Sequence, residues 1–188
     1  MIYGFSPIGA MGRLVRVEVD IRRGLPGTDI VGLPSSEVKE ARERVRVAVR
    51  NAGFDYPMDR ILINLSPAEI PKVGAGFDLA IAAAVLLRSG QIFLPEPLLA
   101  VGELSIRGDA VPVRGTLSAL LTAREYGIAD VLIPDRAVRR LTGMSFDGTS
   151  IHPIEAIRRL RSGIPQAVTP PQDDGSSAAP GISFDDME

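Results

Sequence analysis

The most apolar stretch of the chain lies near its middle, where residues 79–87 leave no polar side. A helix without a polar face belongs inside a domain, and nine residues are too few to cross a bilayer. A β-prone apolar run, 60–65, precedes it, and the segment 71–78 between them contains two glycines. This pattern predicts a strand, a tight turn and a central buried helix.

The rest of the chain shows periodicities of both strand and helix. Alternating apolar and polar residues within 2–33 predict half-buried strands. A helix is predicted after Pro34, with Ser35 or Ser36 as its N-cap and Gly53 just beyond its end. Later elements are predicted as a hairpin over 99–113, a helix over 117–126, a strand at 131–133, a helical turn at 137–141 and a short helix over 154–160. Hairpins combined with crossovers predict an α+β fold, in which helices pack on a mixed β-sheet.

The composition changes at about residue 163. From there to residue 181, Pro, Gly, Ser and Asp dominate, a composition typical of a linker that cannot bury enough apolar surface to fold. Large apolar residues, among them Ile182 and Phe184, return within 182–188. The sequence therefore predicts a folded domain over 1–162, a disordered linker over 163–181 and the start of a further module at 182–188.

Composition narrows the possible chemistry. The 188 residues include no Cys and one histidine, His152, which excludes disulfides and thiolate sites and argues against a His-based metal site. We expect no metal or cofactor in this part of the protein. A net charge of −2 means that nucleic acid could be contacted only by a local basic patch. The N-terminus shows no signal peptide, so we expect a cytoplasmic protein that does not contact a membrane.

The turn at 71–78 is the first candidate site. Gly74 and Gly76 could direct backbone N–H groups at an anion, but the chain contains no P-loop string. Asp78 could be a general base or a metal ligand, or it could accept backbone N–H groups at the start of the helix. Because no other carboxylate or histidine lies nearby in sequence, we predict that Lys72, Gly74, Gly76 and Asp78 form a structural turn and helix cap.

Nucleophilic catalysis has few possible participants in this chain. Without Cys, and with its single histidine near the end, only a Ser–Lys pair could form, and the two lysines are Lys39 and Lys72. Ser66 ends a predicted strand, and Lys39 lies on the outer face of the first helix. A hydrolase that uses Asp78 or Ser66 is therefore kept only as a third alternative.

A basic stripe forms the second candidate site. Lys39, Arg42, Arg46 and Arg50 fall within an arc roughly 80° wide on the first predicted helix. Such a stripe can follow a phosphate backbone, or it can be an ordinary solvated face. No aromatic residue interleaves with these cations, so base stacking is not expected. The four side chains are our candidates for DNA contact.

Several strings in this sequence resemble one known family, the ComM/YifB proteins, which are AAA+ ATPases similar to magnesium-chelatase subunit I. They lie at 24–27, 30–34, 38–46, 64–68 and 77–82. The resemblance runs from residue 1 to about 160 and is to the N-terminal domain of those proteins. It implies that an ATPase module, which would bind ATP and Mg²⁺, follows this domain, since 182–187 resembles the opening of that module.

The same region is similar to the proteolytic domain of Lon and to the Lon-like domain of the RadA recombination protein. This resemblance implies a Lon-protease-like fold of the ribosomal-protein domain-2-like superfold. Laid on the Lon motifs, the position of the catalytic serine is Gly76 and that of the lysine is Leu117. It thus implies a Lon-like scaffold with no catalytic residue.

The family resemblance also implies a role in DNA uptake and recombination, as part of a hexameric branch-migration helicase in natural transformation. We therefore expect a non-enzymatic accessory domain that contacts DNA and supports self-association into a ring. The main alternative is a protein–protein interaction or oligomerisation domain that never contacts nucleic acid.

Overall fold

Seven strands form one mixed sheet in the computed structural model, which describes residues 1–8 and 11–172. The strands of the chain are β1 Ile2–Ile8, β2 Met11–Arg22, β3 Gly27–Val31, β4 Arg60–Ser66, β5 Leu98–Ala100, β6 Glu103–Leu104, β7 Ala110–Val111, β8 Asp130–Pro134 and β9 Ser150–Ile154. The sheet order is β3-β4-β2-β1-β5-β8-β9, and β6 pairs with β7 in a separate small hairpin. Strand β2 is antiparallel to β1 and β4, and the other neighbours in the sheet are parallel. The predicted mixed sheet is confirmed.

Helices cover both faces of this sheet. They are α1 Ser36–Asn51, α2 Asp78–Arg88, α3 Thr116–Glu125 and the short α4 Asp135–Val138. Alternate residues of β5 and β8 enter different apolar clusters: Leu98 and Leu132 contact the cluster of α1 and α2, whereas Leu99 and Val131 contact that of α3 and α4. Because successive strand side chains point to opposite faces, each helix pair covers one face of the sheet.

The first two helices follow their predicted patterns. Helix α1 begins after Ser35, whose Oγ accepts the N–H of Val38 at 3.4 Å, and Gly53, with φ of +83°, follows its end. In α2 every residue from Asp78 to Leu86 is buried, as the run of apolar residues predicts. Within the described residues, no helix has both the length and the apolar character needed to span a membrane.

Two predicted elements differ from the structure. The hairpin over 99–113 is shorter, because β5 joins the main sheet between β1 and β8 and only β6 and β7 form a hairpin. The last predicted helix, over 154–160, begins later than expected: Ser150–Ile154 is strand β9, and the helical segment that follows, Ile157–Ser162, is a 3₁₀ helix. Pro153 argues against a strand in sequence, but an edge strand tolerates proline because one side of its backbone needs no partner.

The segment 163–172 contacts the domain, although the sequence placed the beginning of a disordered linker at residue 163. The N–H of Val168 donates to the carbonyl of Ile151 in β9 at 2.8 Å. The ring of His152 links this segment to the sheet, with Nδ1 2.7 Å from the carbonyl of Pro165 and Nε2 2.7 Å from Asp130 Oδ1. The rest of the predicted linker, 173–181, and the predicted module start at 182–188 lie outside the described residues.

Replacing the histidine should release this segment from the edge of the sheet. In His152→Ala, both ring contacts are lost, so we expect the amide of Val168 to exchange with solvent about tenfold faster. Hydrogen exchange followed by NMR measures this rate. Gln166→Ala, at an exposed position of the same segment, is the control and should leave the rate unchanged. An unchanged rate in His152→Ala would show that the ring does not hold the segment.

Candidate functional site

The Gly-rich turn before α2 uses its backbone groups within the domain. The N–H of Gly74, a residue with φ of +82°, donates to Glu37 Oε2 of α1 at 3.0 Å. The carbonyl of Gly76 accepts the N–H of Gly102 at 3.1 Å, and the carbonyl of Gly102 accepts the N–H of Leu79 at 3.0 Å. The N–H of Gly74 is therefore already bonded to a carboxylate of the protein and is not available to a bound anion.

Asp78 is fully buried and forms an ion pair with Arg44 of α1. The guanidinium donates through Nε to Oδ2 at 2.9 Å and through Nη2 to Oδ1 at 3.0 Å, and the N–H of Leu104 adds a third bond at 3.2 Å. Burial raises the pKa of the Asp78 carboxyl, while the hydrogen bonds from Arg44 oppose that rise. On the surface, Arg44 Nη1 also lies 3.7 Å from Oε2 of Glu40, four residues earlier on α1. Both oxygens of Asp78 are engaged, so a substrate has no access to them.

Lys72 is also buried and turned away from solvent. Its Nζ donates to the carbonyl of Pro67, and burial lowers the pKa of the ammonium group. The backbone of Lys72 accepts the N–H of Ser35 at 2.9 Å and donates to the carbonyl of Leu33 at 3.2 Å. This lysine therefore connects the turn to the start of α1.

A shallow cavity of about 270 Å³ opens beside Gly76. Its lining is mostly apolar, and Glu103 and Arg114 are its charged residues. A Cβ atom at Gly76 would lie 3.4 Å from Val113 Cγ2, so a small side chain would fit here. Leu117 lies in the first turn of α3, is 38% exposed and does not line this cavity. The positions matched to the Lon serine and lysine thus hold neither a nucleophile nor a base.

The basic stripe lies beside strand β3, and the space between α1 and this strand is open. One cavity, of about 360 Å³, is lined by Arg42, Arg46, Arg50 and Arg60 together with residues of the first half of β3. A second, of about 410 Å³, continues past the second half of β3 and is lined by Lys39 and Arg42. We call the two together the β3 groove. Its lining contains five cationic side chains and two carboxylates, Asp29 and Glu43.

The carboxylates neutralise only part of this charge. Glu43 lies 3.4 Å from Arg42 Nε and 2.6 Å from Arg46 Nη2, so two guanidinium groups share one acid. Arg60 pairs with Asp29, and Arg50 Nη2 lies 3.0 Å from the sulfur of Met58. The side chains of Arg42 and Arg46 remain 47% and 45% exposed, which leaves them accessible to an external anion.

The lining residues that the sequence did not predict include Arg60, Tyr56 and Thr28. Arg60 enters the groove because β3 pairs in parallel with β4, which sets Gly27 opposite Arg60. The hydroxyl of Tyr56 is 3.0 Å from Thr28 Oγ1, and burial raises the pKa of the phenol. Recognising the strand pairing would have located Arg60. Among the described residues, no three His, Asp or Glu side chains are placed to share a metal ion.

The mixed sheet, the turn at Gly76 and the buried helix define an α+β domain of the Lon-like class. In agreement, the chain is 27% identical to Lon protease 1 of Hydrogenovibrio crunogenus over 156 residues, which are 78% of this chain and 19% of that protein. The family model described as subunit ChlI of Mg-chelatase matches residues 17–137, and the chain belongs to this family.

Within that family, the chain is similar to two named proteins. It is 41% identical to the uncharacterised protein YifB of Escherichia coli over 138 residues, which are 72% of this chain and 27% of YifB. It is also 41% identical to the competence protein ComM of Haemophilus influenzae over 127 residues, which are 66% of this chain and 25% of ComM. The chain spans between about a fifth and a third of the length of the curated relatives it matches.

Removing the partner of Asp78 should destabilise the domain in a pH-dependent way. In Arg44→Met the buried carboxylate loses its counter-ion, and we expect the free energy of unfolding to fall by about 3 kcal/mol at pH 7.5. Without Arg44 the pKa of folded Asp78 rises further above that of the unfolded chain. A group with a raised pKa in the folded domain favours folding when it is protonated. This contribution of Asp78 is fully present below its pKa in the unfolded chain, about 3.9, and is lost as pH rises through its pKa in the folded domain.

The difference in the free energy of unfolding between the parent chain and Arg44→Met should therefore be smaller at pH 4.5 than at pH 7.5. Urea unfolding at the two pH values measures it. Glu40→Gln removes the exposed partner of Arg44 instead and should cost less than about 1 kcal/mol at either pH. A deficit that does not change with pH would mean that Asp78 does not titrate in this range.

Proposed function

We propose that this domain is a non-catalytic accessory domain of a ComM/YifB-type AAA+ ATPase that processes DNA during recombination and natural transformation. It would contact DNA through the basic stripe and support the assembly of a ring. The nucleotide and its Mg²⁺ would be bound by an ATPase module elsewhere in the full-length protein. Membership of the ChlI family and the similarity to ComM support this assignment.

The β3 groove is the observation that carries the DNA-binding part of the proposal. Arg42, Arg46 and Arg50 lie on adjacent turns of α1, and the sheet adds Arg60 beside them. Guanidinium groups in such an array can each donate two hydrogen bonds to phosphate oxygens. With no exposed aromatic side chain in its lining, the groove offers phosphate contacts and no base stacking. We therefore propose binding that depends little on sequence.

The lack of catalysis in this domain is supported by the two positions matched to the Lon dyad. Gly76 supplies no nucleophile, and Leu117 supplies no base. Asp78, the carboxylate nearest in sequence, is fully buried and bound to Arg44. We propose that the domain retains the peptidase scaffold as a rigid platform for binding.

Reversing two charges of the stripe should weaken DNA binding. In Arg42→Glu/Arg46→Glu two phosphate contacts become repulsive, so we expect the affinity for a 30-base-pair duplex to fall at least about tenfold. The dependence of log K on log salt concentration should become shallower by about one unit for each lost contact. Fluorescence anisotropy titrations of the 188-residue chain at several salt concentrations measure both quantities.

The matched control is Arg139→Glu/Arg140→Glu. It changes the net charge equally, at two exposed residues that follow α4 and lie outside the groove. The control should retain the salt slope of the parent chain. Equal losses in both double variants would show that overall charge, not the stripe, determines binding.

Restoring the serine alone should not restore a peptidase. Gly76→Ser places its Cβ in van der Waals contact with Val113, 3.4 Å from Cγ2, without a clash, so the domain should lose less than about 1 kcal/mol of stability. Without a lysine at position 117, the new hydroxyl has no base to activate it. We expect no cleavage of fluorescein-labelled casein by the parent chain or the variant. Cleavage by the parent would contradict the non-catalytic proposal, and cleavage by Gly76→Ser alone would show that another group acts as base.

A further inference from the structure

Strand β3 forms one edge of the sheet, and half of its backbone N–H and C=O groups face away from β4. The N–H of Gly27 donates to the carbonyl of Asp59 at 3.2 Å, so Gly27 faces the β4 side. Because strand residues alternate in the direction of their backbone groups, Thr28 and Ile30 direct N–H and C=O to the open side. Arg42 Nη1 reaches the carbonyl of Thr28 at only 3.4 Å, a weak contact that a better partner can replace.

The two edge strands of the sheet, β3 and β9, differ in whether another segment of the chain pairs with them. At the other end, β9 is covered, because Ile151 forms an antiparallel bridge with Val168. No segment within the described residues covers β3 in this way. An open edge is a template for another strand. The β3 groove also leaves room beside it along the full length of the strand.

The two sides of the groove differ in chemistry. On the α1 side of β3, where Thr28 and Ile30 point, the wall is cationic and includes Lys39, Arg42 and Arg46. On the outer face of the sheet Val31 and Leu62 are 41% and 37% exposed, and the only charged groups of β3 and its neighbour β4 on that face, Asp29 and Arg60, are paired with each other. A strand added beside β3 would place alternate side chains on these two sides. Acidic residues would suit the first side and apolar residues the second.

We infer that β3 accepts an extended segment of a partner protein as an eighth strand, and that this segment alternates acidic and apolar residues. A peptide backbone offers both donors and acceptors to Thr28 and Ile30, whereas a phosphate backbone offers acceptors only. Carboxylates of the segment meet Arg42 and Arg46, the residues proposed above to contact DNA. Strand addition does not require DNA binding, but the two ligands compete where both bind.

A synthetic peptide tests the inference directly. The probe is the acetylated and amidated heptapeptide Glu-Val-Glu-Val-Glu-Val-Glu, added to the 188-residue chain. We expect saturable binding that slows hydrogen exchange of the Thr28 and Ile30 amides at least about tenfold, observed by NMR. The matched probe is N-methylated at the central valine and the next glutamate. Since one of these two residues must face β3, it should bind at least about tenfold more weakly.

Variants of the protein separate the backbone contribution from the charge contribution. Thr28→Pro removes an outward N–H on an edge strand and should weaken the peptide at least about tenfold. Thr28→Val also loses the hydroxyl bond to Tyr56 but keeps the N–H, so it should weaken the peptide less than Thr28→Pro does. Arg42→Gln/Arg46→Gln should weaken the peptide about tenfold and reduce the effect of salt on binding.

Several outcomes would overturn the inference. They are equal binding of the two peptides, binding without protection of Thr28 and Ile30, and DNA binding by a chain that binds no peptide. A dimer in light scattering whose formation protects the same amides without peptide would assign the groove to a second copy, which also overturns it. Peptide binding by a chain that binds no DNA would support strand addition and contradict the proposed DNA contact.

Discussion

The ion pair between Arg44 and Asp78 fixes the rotation of α1 about its axis. The position of the basic stripe depends on this rotation. A fully buried carboxylate needs a charged or hydrogen-bonding partner, and Arg44 supplies both oxygens with a donor. On an α-helix, residues 42 and 46 lie about 200° from residue 44, on the opposite side. Turning Arg44 toward α2 therefore turns Arg42 and Arg46 toward solvent beside β3. The interior of the domain thus determines where its positive surface lies.

The turn at Gly76 is held in place by contacts within the domain. Glu37 binds the N–H of Gly74, and Gly102 binds the carbonyl of Gly76, so the turn is fixed from both sides by the domain itself. The cavity beside Gly76 remains open, but its lining is mostly apolar. Function then depends on sites placed on the fold and not on the fold alone. In this chain five cationic side chains line the β3 groove.

The parts predicted correctly from sequence are those set by local patterns. The apolar run of α2 and the stripe and cap of α1 involve residues close together in the chain, so their periodicity was enough. The ion pair between Arg44 and Asp78 joins residues 34 positions apart, and the entry of Arg60 into the groove depends on which strands are neighbours. Neither leaves a periodic signal. Strand β9 was missed because proline is rare within strands, and the sequence does not show that Ser150–Ile154 lies at a sheet edge, where Pro153 is tolerated.

The positive charge beside β3 also disfavours pairing of this open edge with some strands. Two copies that paired through β3 would bring their α1 stripes to the same junction, where Arg42 and Arg46 of each copy would lie close to like charges. Such repulsion is a common protection of open edges, and it acts without blocking the backbone groups themselves. An acidic segment meets the opposite condition, because the same side chains attract it. The same arginines can thus disfavour pairing between two copies of the domain and favour the binding of an acidic strand.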